Sequence, residues 1–243
     1  MVSYNCLIKP RARIVVTGPS ESGKSHLVKE MLLRQAECFE RVHPEVHIFA
    51  LHAQESYREL AQNGRFKVVT HIGAPPADFT PKPGSILIFD DLQLDMPKGS
   101  LASWFLRKSH HLDCSCVYIS QSIFDPRNPD ARLISLNASY FVIFRQLRDQ
   151  SSLEILNFQL LGSGYKGFLR DIYNDVLGDR PHSYLFVDLH QECPSDFRFR
   201  SSIFPENLRT RVFRPKSEDE RKKAVVLRTQ STHDSEKLPR TDT

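Results

Sequence analysis

The sequence predicts an α/β fold with a central, mostly parallel sheet flanked by helices. Three observations predict it. Short apolar runs of strand length alternate with longer amphipathic stretches. Several runs, such as SILIF at 85–89 and YFVIFR at 140–145, are apolar almost throughout, which suits strands covered on both faces. The first run passes through a glycine-bearing turn directly into a helical segment.

In chain order, Arg13–Thr17 (RIVVT) reads as a buried strand, followed by a turn and a helix from Lys24 to about Cys38. His47–Leu51 and Phe66–Thr70 are the next strands, and Ser85–Phe89 is the fourth. A helix from Ser100 to His111 leads into the strand Cys116–Ser120. Asn128–Leu136 is a helix that leads into the strand Tyr140–Arg145. Ser151–Leu161 and Tyr165–Leu177 are helical, and the strand Tyr184–Asp188 closes the set. The composition shifts at Phe213. Within 215–243 only Ala224, Val225, Val226, Leu227 and Leu238 are apolar. That is too little to offset the entropy of ordering, so 1–214 is expected to be the folded domain and 215–243 a disordered polar tail.

Composition narrows the class. Of 243 residues, 40% are hydrophobic and 26% charged, and the net charge is +4. This excludes a collagen, a disulfide miniprotein and a wholly disordered chain. Five cysteines at irregular spacing are not the paired set of a secreted scaffold. With no apolar run of 18 residues and no signal-peptide pattern, an intracellular protein without a membrane partner is expected.

The turn after the first strand is Gly18-Pro19-Ser20-Glu21-Ser22-Gly23-Lys24-Ser25, the G-x-x-x-x-G-K-S phosphate loop in its strand–loop–helix setting. Its backbone N–H groups must close around phosphate oxygens, and side chains at Gly18 and Gly23 would block that approach. Lys24 offers a point charge to the β- and γ-phosphates and Ser25 a hydroxyl to Mg²⁺. The segment from Gly18 to His26 is therefore assigned to the nucleotide, and the fold to the P-loop NTPases. The strand Ser85–Phe89 ends at Asp90-Asp91. Asp90 is placed to hold Mg²⁺, and Asp91 to polarise the attacking water. Gln121, at the end of another strand, suits a contact to the γ-phosphate or that water. The sequence lacks the Asn-Lys-x-Asp pattern of a guanine pocket, which favours ATP.

Beyond these motifs, Ser109–Phe124 (SHHLDCSCVYISQSIF) and Arg132–Arg145 (RLISLNASYFVIFR) resemble the A32-like genome-packaging ATPases. These occur in large DNA viruses, adintovirus-like viruses and Maverick/Polinton transposons, and belong to the FtsK–HerA class of DNA pumps. Tyr184–Asp188 and Phe197–Pro205 extend the resemblance, which covers roughly 8–215. It implies the RecA/FtsK-like branch of P-loop folds with an additional strand beside the phosphate-loop strand. It also implies a homo-oligomeric ring that threads double-stranded DNA into a capsid through a capsid or portal protein. The compartment would be the host nucleus or cytoplasm, or the virion. Arg107 resembles the arginine that such motors offer to a neighbouring subunit, with Arg132, Arg145 and Arg148 as rivals. The family usually has glutamate where Asp91 stands.

Other signals compete. His110, His111, Cys114 and Cys116 fall within seven residues, but the spacing is no usual zinc motif. Gly162-Ser-Gly164-Tyr-Lys-Gly167 imitates a dinucleotide fingerprint, yet the segment before it reads as a helix, so a loop between helices is expected. Arg198, Arg200, Arg209, Arg211 and Arg214 could line a DNA path. A small-molecule or nucleoside kinase and a nucleotide-switched assembly factor share the phosphate loop and remain the alternatives.

Overall fold

The computed structural model describes residues 6–52, 54–92, 95–124, 128, 130–146, 149–178, 181–204 and 210–216. Arg148, Arg209 and nearly all of the expected tail lie outside the described residues. The strands are β1 (Arg13–Thr17), β2 (Glu45–Ala50), β3 (Lys67–Ile72), β4 (Ile86–Asp90), β5 (Ser115–Ser120), β6 (Tyr140–Phe144), β7 (Tyr184–Asp188), β8 (Phe199–Arg200) and β9 (Val212–Phe213). They form one sheet in the order β3-β2-β4-β5-β1-β6-β7-β8-β9. The first six positions in that order are parallel, and β7, β8 and β9 continue it antiparallel.

Strand alternation sends successive side chains to opposite faces, so the parallel sheet feeds two cores. Ile14, Val16, Ile86, Ile88, Val117 and Ile119 pack on one face with α1 (Lys24–Leu33), α2 (Gln35–Cys38) and α3 (Glu55–Ala61). Val15, Leu87, Phe89, Cys116 and Tyr118 pack on the other. That face is covered by α4 (Ser100–Ser103), a wider π turn (Trp104–Lys108), α5 (Ser109–His111), α6 (Ala131–Asn137), α7 (Gln150–Leu161) and α8 (Phe168–Leu177).

The architecture matches the expected one, with local corrections. The helix expected from Lys24 to Cys38 breaks at Arg34, whose φ of −115° and ψ of 37° leave the helical region. Arg34 pairs there with Glu30 at 2.7 Å and Glu37 at 2.6 Å, one on each side of the break. The helix expected from Tyr165 begins at Phe168, because Gly167 at φ 77° resets the chain. The Gly162–Gly167 segment joins α7 to α8, as the helical pattern before it required. No strand precedes it, so it is not the strand–turn–helix of a dinucleotide site.

Arg200 corrects the expected DNA path. It is 1% exposed and donates to Asp188 at 2.9 Å and to the Cys6 carbonyl at 2.9 Å. It therefore closes the antiparallel end of the sheet and cannot meet a phosphate backbone. Arg211 is exposed and pairs at the surface with Asp175 at 2.7 Å. Cys114 and Cys116 are buried, and burial pushes the Cys114 thiol up to about 11. Cys116 is pushed up further by the same cause. Among the described residues no group of three or more His, Cys, Asp or Glu side chains could hold a metal ion.

Candidate nucleotide site

The parallel order fixes where the site lies. β5 sits between β1 and β4, with Thr17 beside Ser120 and Asp90 beside Ile119. The carboxyl ends of three neighbouring strands thus deliver Gly18, Gln121 and Asp91 to one rim. Ligands of open α/β sheets bind at that rim.

The phosphate loop is held from below and from one side. Gly18 N–H donates to the Ser120 carbonyl at 3.2 Å. A Cβ on Gly18 would lie 2.6 Å from the Phe144 Cβ and 2.8 Å from Ser22 Oγ, so only glycine fits. Gly23, at φ 104°, turns the loop into α1. His182, from the segment before β7, donates through Nδ1 to the Ser22 carbonyl at 3.1 Å. Pro19, Ser20, Glu21 and His26 are exposed around the loop, with Glu21 at φ 63°.

The donor chemistry fits a nucleotide phosphate. No side chain caps the start of α1 and no acidic residue lies in its first turn, so its N–H groups face an anion position unopposed. Ser22 Oγ is buried without a hydrogen-bond partner. Lys24 Nζ donates to the loop's own carbonyls, Gly18 at 2.7 Å and Pro19 at 2.8 Å. Burial pushes the Lys24 ammonium below its ordinary range, while Asp90 and Asp91 pull the other way. A cation under that desolvation gains from any anion brought against it.

The donor set also fits Mg²⁺, a hard ion that takes carboxylate and hydroxyl oxygens. Ser25 Oγ lies 3.4 Å from Asp90 Oδ2. Asp90 is 5% exposed, and burial raises its pKa, opposed by hydrogen bonds from Tyr57 and Gln54. Asp91 is exposed on the rim at φ 55°, a left-handed conformation that aspartate tolerates better than most residues. Gln121 donates through Nε2 to Asp91 Oδ2 at 3.2 Å. Gln146 donates in turn to the Gln121 carbonyl at 2.5 Å. The structure therefore brings together Lys24, Ser25, Asp90, Asp91 and Gln121.

Arg107 is not among them. It lies exposed on the π turn, on the sheet face opposite α1, beside a cavity of about 550 Å³ that Trp104, Lys108 and His111 also line. Arg132 is exposed on α6, and Arg145 is exposed just beyond β6, at the phosphate-loop end of the sheet.

Gln54 and Tyr57 are functional candidates that the sequence did not suggest. Gln54 Nε2 donates to Asp90 Oδ2 at 2.9 Å, and the Tyr57 hydroxyl donates to the same oxygen at 2.5 Å. Nothing local to Asp90 announces donors 36 and 33 residues away.

The phosphate loop between β1 and α1, with a strand inserted before the acidic one, makes this the P-loop NTPase fold. No protein-family model and no curated protein matches the chain. Solved structures similar to it include the genome packaging NTPase B204 from Sulfolobus turreted icosahedral virus 2, in complex with sulfate. That similarity is 14% identity over 86% of this chain and 98% of that one, with a TM-score of 0.48. EssC (ATPases 2 and 3) from Geobacillus thermodenitrificans shares 13% identity over 95% of this chain and 46% of that one, with a TM-score of 0.48. The cytoplasmic domain of the Thermomonospora curvata Type VII secretion ATPase EccC shares 16% identity over 80% and 24%, with a TM-score of 0.45.

Proposed function

We propose that this chain hydrolyses ATP and that the reaction drives double-stranded DNA into a viral capsid. The observation that carries the hydrolytic part is the convergence of Ser25 on Asp90 and of Gln121 on Asp91 at the rim beside the phosphate loop. The loop's N–H groups and Lys24 would hold the phosphates, and Ser25 and Asp90 would hold Mg²⁺. When bound, Mg²⁺ neutralises charge on the β- and γ-phosphates. Asp91 takes the proton of the water that attacks the γ-phosphorus. The bond to the bridging oxygen breaks, leaving ADP and inorganic phosphate. Gln121 holds Asp91 toward that water.

The packaging part rests on the resemblance carried by Ser109–Phe124 and Arg132–Arg145. It includes a homo-oligomeric ring, a capsid or portal partner and a place in the host nucleus or cytoplasm, or in the virion. Arg107, on the face away from α1, serves a neighbour's nucleotide across the ring interface. No helix among the described residues is long and apolar enough to cross a membrane.

The test is ATP hydrolysis by the purified chain with and without double-stranded DNA, beside Lys24→Ala. Turnover that rises with DNA and vanishes in Lys24→Ala supports the motor. Nucleotide binding without DNA-stimulated turnover instead supports an assembly switch or a kinase. Mixing Lys24→Ala with Arg107→Ala subunits should restore part of the activity. No rescue at any ratio removes Arg107 from the interface role.

A further inference from the structure

All three protein donors to Asp90 converge on one oxygen. Tyr57, Gln54 and Ser25 reach Oδ2 at 2.5, 2.9 and 3.4 Å, and among the described residues no donor reaches Oδ1. Packing fixes the geometry. Tyr57 is 0% exposed, within the core on the α1 face of the sheet. Gln54 immediately precedes α3, which carries Tyr57, so both donors come from one short stretch of chain. A buried carboxylate left to rotate could turn either oxygen toward the ion, and two short bonds to one oxygen remove that freedom.

We propose that Tyr57 and Gln54 are positioning residues for the metal-binding carboxylate, holding Oδ2 so that Oδ1 is left for the divalent cation and its water. The proposal rests on the nucleotide-binding reading of the site. Partners that orient a metal ligand typically change metal affinity by about 10–100-fold when removed. Tyr57 and Gln54 act through Asp90.

The experiment uses the full chain and a fluorescent ATP analogue, titrated with Mg²⁺ and separately measured in EDTA. Tyr57→Phe keeps the buried ring and removes only the hydroxyl. It should raise the Mg²⁺ concentration for half-maximal Mg²⁺-dependent binding about 10-fold and leave binding in EDTA unchanged. Gln54→Ala, at a half-buried position outside the helix, should shift the same midpoint in the same direction. It also stands as the test if Tyr57→Phe does not fold. A merely structural role would lower the melting temperature and leave the Mg²⁺ midpoint in place. A wild-type midpoint retained in the variants overturns the proposal while the nucleotide reading stands. A wild-type chain whose nucleotide binding is indifferent to Mg²⁺ overturns both.

Discussion

Burial pulls the Lys24 pKa down while Asp90 and Asp91 oppose it, and its amino group bridges two carbonyls of the loop it serves. Lys24→Ala removes the charge and both bonds. Binding of a fluorescent ATP analogue should fall about 10–100-fold, since a charge-assisted contact to phosphate is worth about 1.5–3 kcal/mol. Asp91→Asn keeps the Gln121 contact within reach but gives up the proton acceptor. It should retain Mg·ATP binding and slow hydrolysis about 10²–10⁴-fold in a phosphate-release assay. Normal turnover in Asp91→Asn would reassign the base. Lys24, Asp90, Asp91 and Gln121 were legible in the sequence because each stands at a strand end or a fixed motif offset. Gln54 and Tyr57 were not, because they reach Asp90 from the cap and first turn of a seven-residue helix too short to show a period.

Among the elements, the phosphate loop has no room for a side chain at Gly18. Gly18→Ala would push a methyl group to 2.6 Å from the Phe144 Cβ on β6, with no flexible side-chain end to give way. Overpacking of this kind costs about 1–3 kcal/mol, so the denaturant midpoint and nucleotide affinity should fall together. At the other end of the sheet, Arg200→Met takes the cation away from the buried Asp188, which keeps the His190 N–H on Oδ1. The expected loss of stability is about 3–5 kcal/mol by urea unfolding, with no specific change in nucleotide affinity per folded molecule. The sequence placed Arg200 among surface cations, since a two-residue strand such as β8 offers no alternation to reveal its buried face. Five of the six parallel strands were legible for the opposite reason, their runs being buried on both sides, whereas β3 at the sheet edge is half exposed.

For the molecule as a whole, three imidazoles set an acid limit. Burial lowers the pKa of His43, His47 and His71 below the ordinary 6.5. His43 donates through Nδ1 to the Gly84 carbonyl at 2.8 Å, while its Nε2 is buried with no acceptor. A folded-state pKa below the unfolded value means that folding favours the neutral ring. That stability is present above about 6.5 and is lost as pH falls through the folded-state values. The melting temperature should therefore drop between pH 7.5 and 5.5, and the drop should shrink in His43→Gln.

The sheet order also sets a schedule for the chain's birth. β1 is made first, yet its two neighbours are β5 and β6, in which Ser120 and Tyr140 must wait for more than a hundred further residues. At ribosomal speeds of about 5–20 residues per second, the strand that carries the phosphate loop spends on the order of ten seconds without a partner. Its apolar RIVVT edge is open to chaperones or to aggregation throughout that interval. Slowing synthesis between residues 17 and 120 should therefore lower soluble yield, whereas the same delay after residue 145 should not.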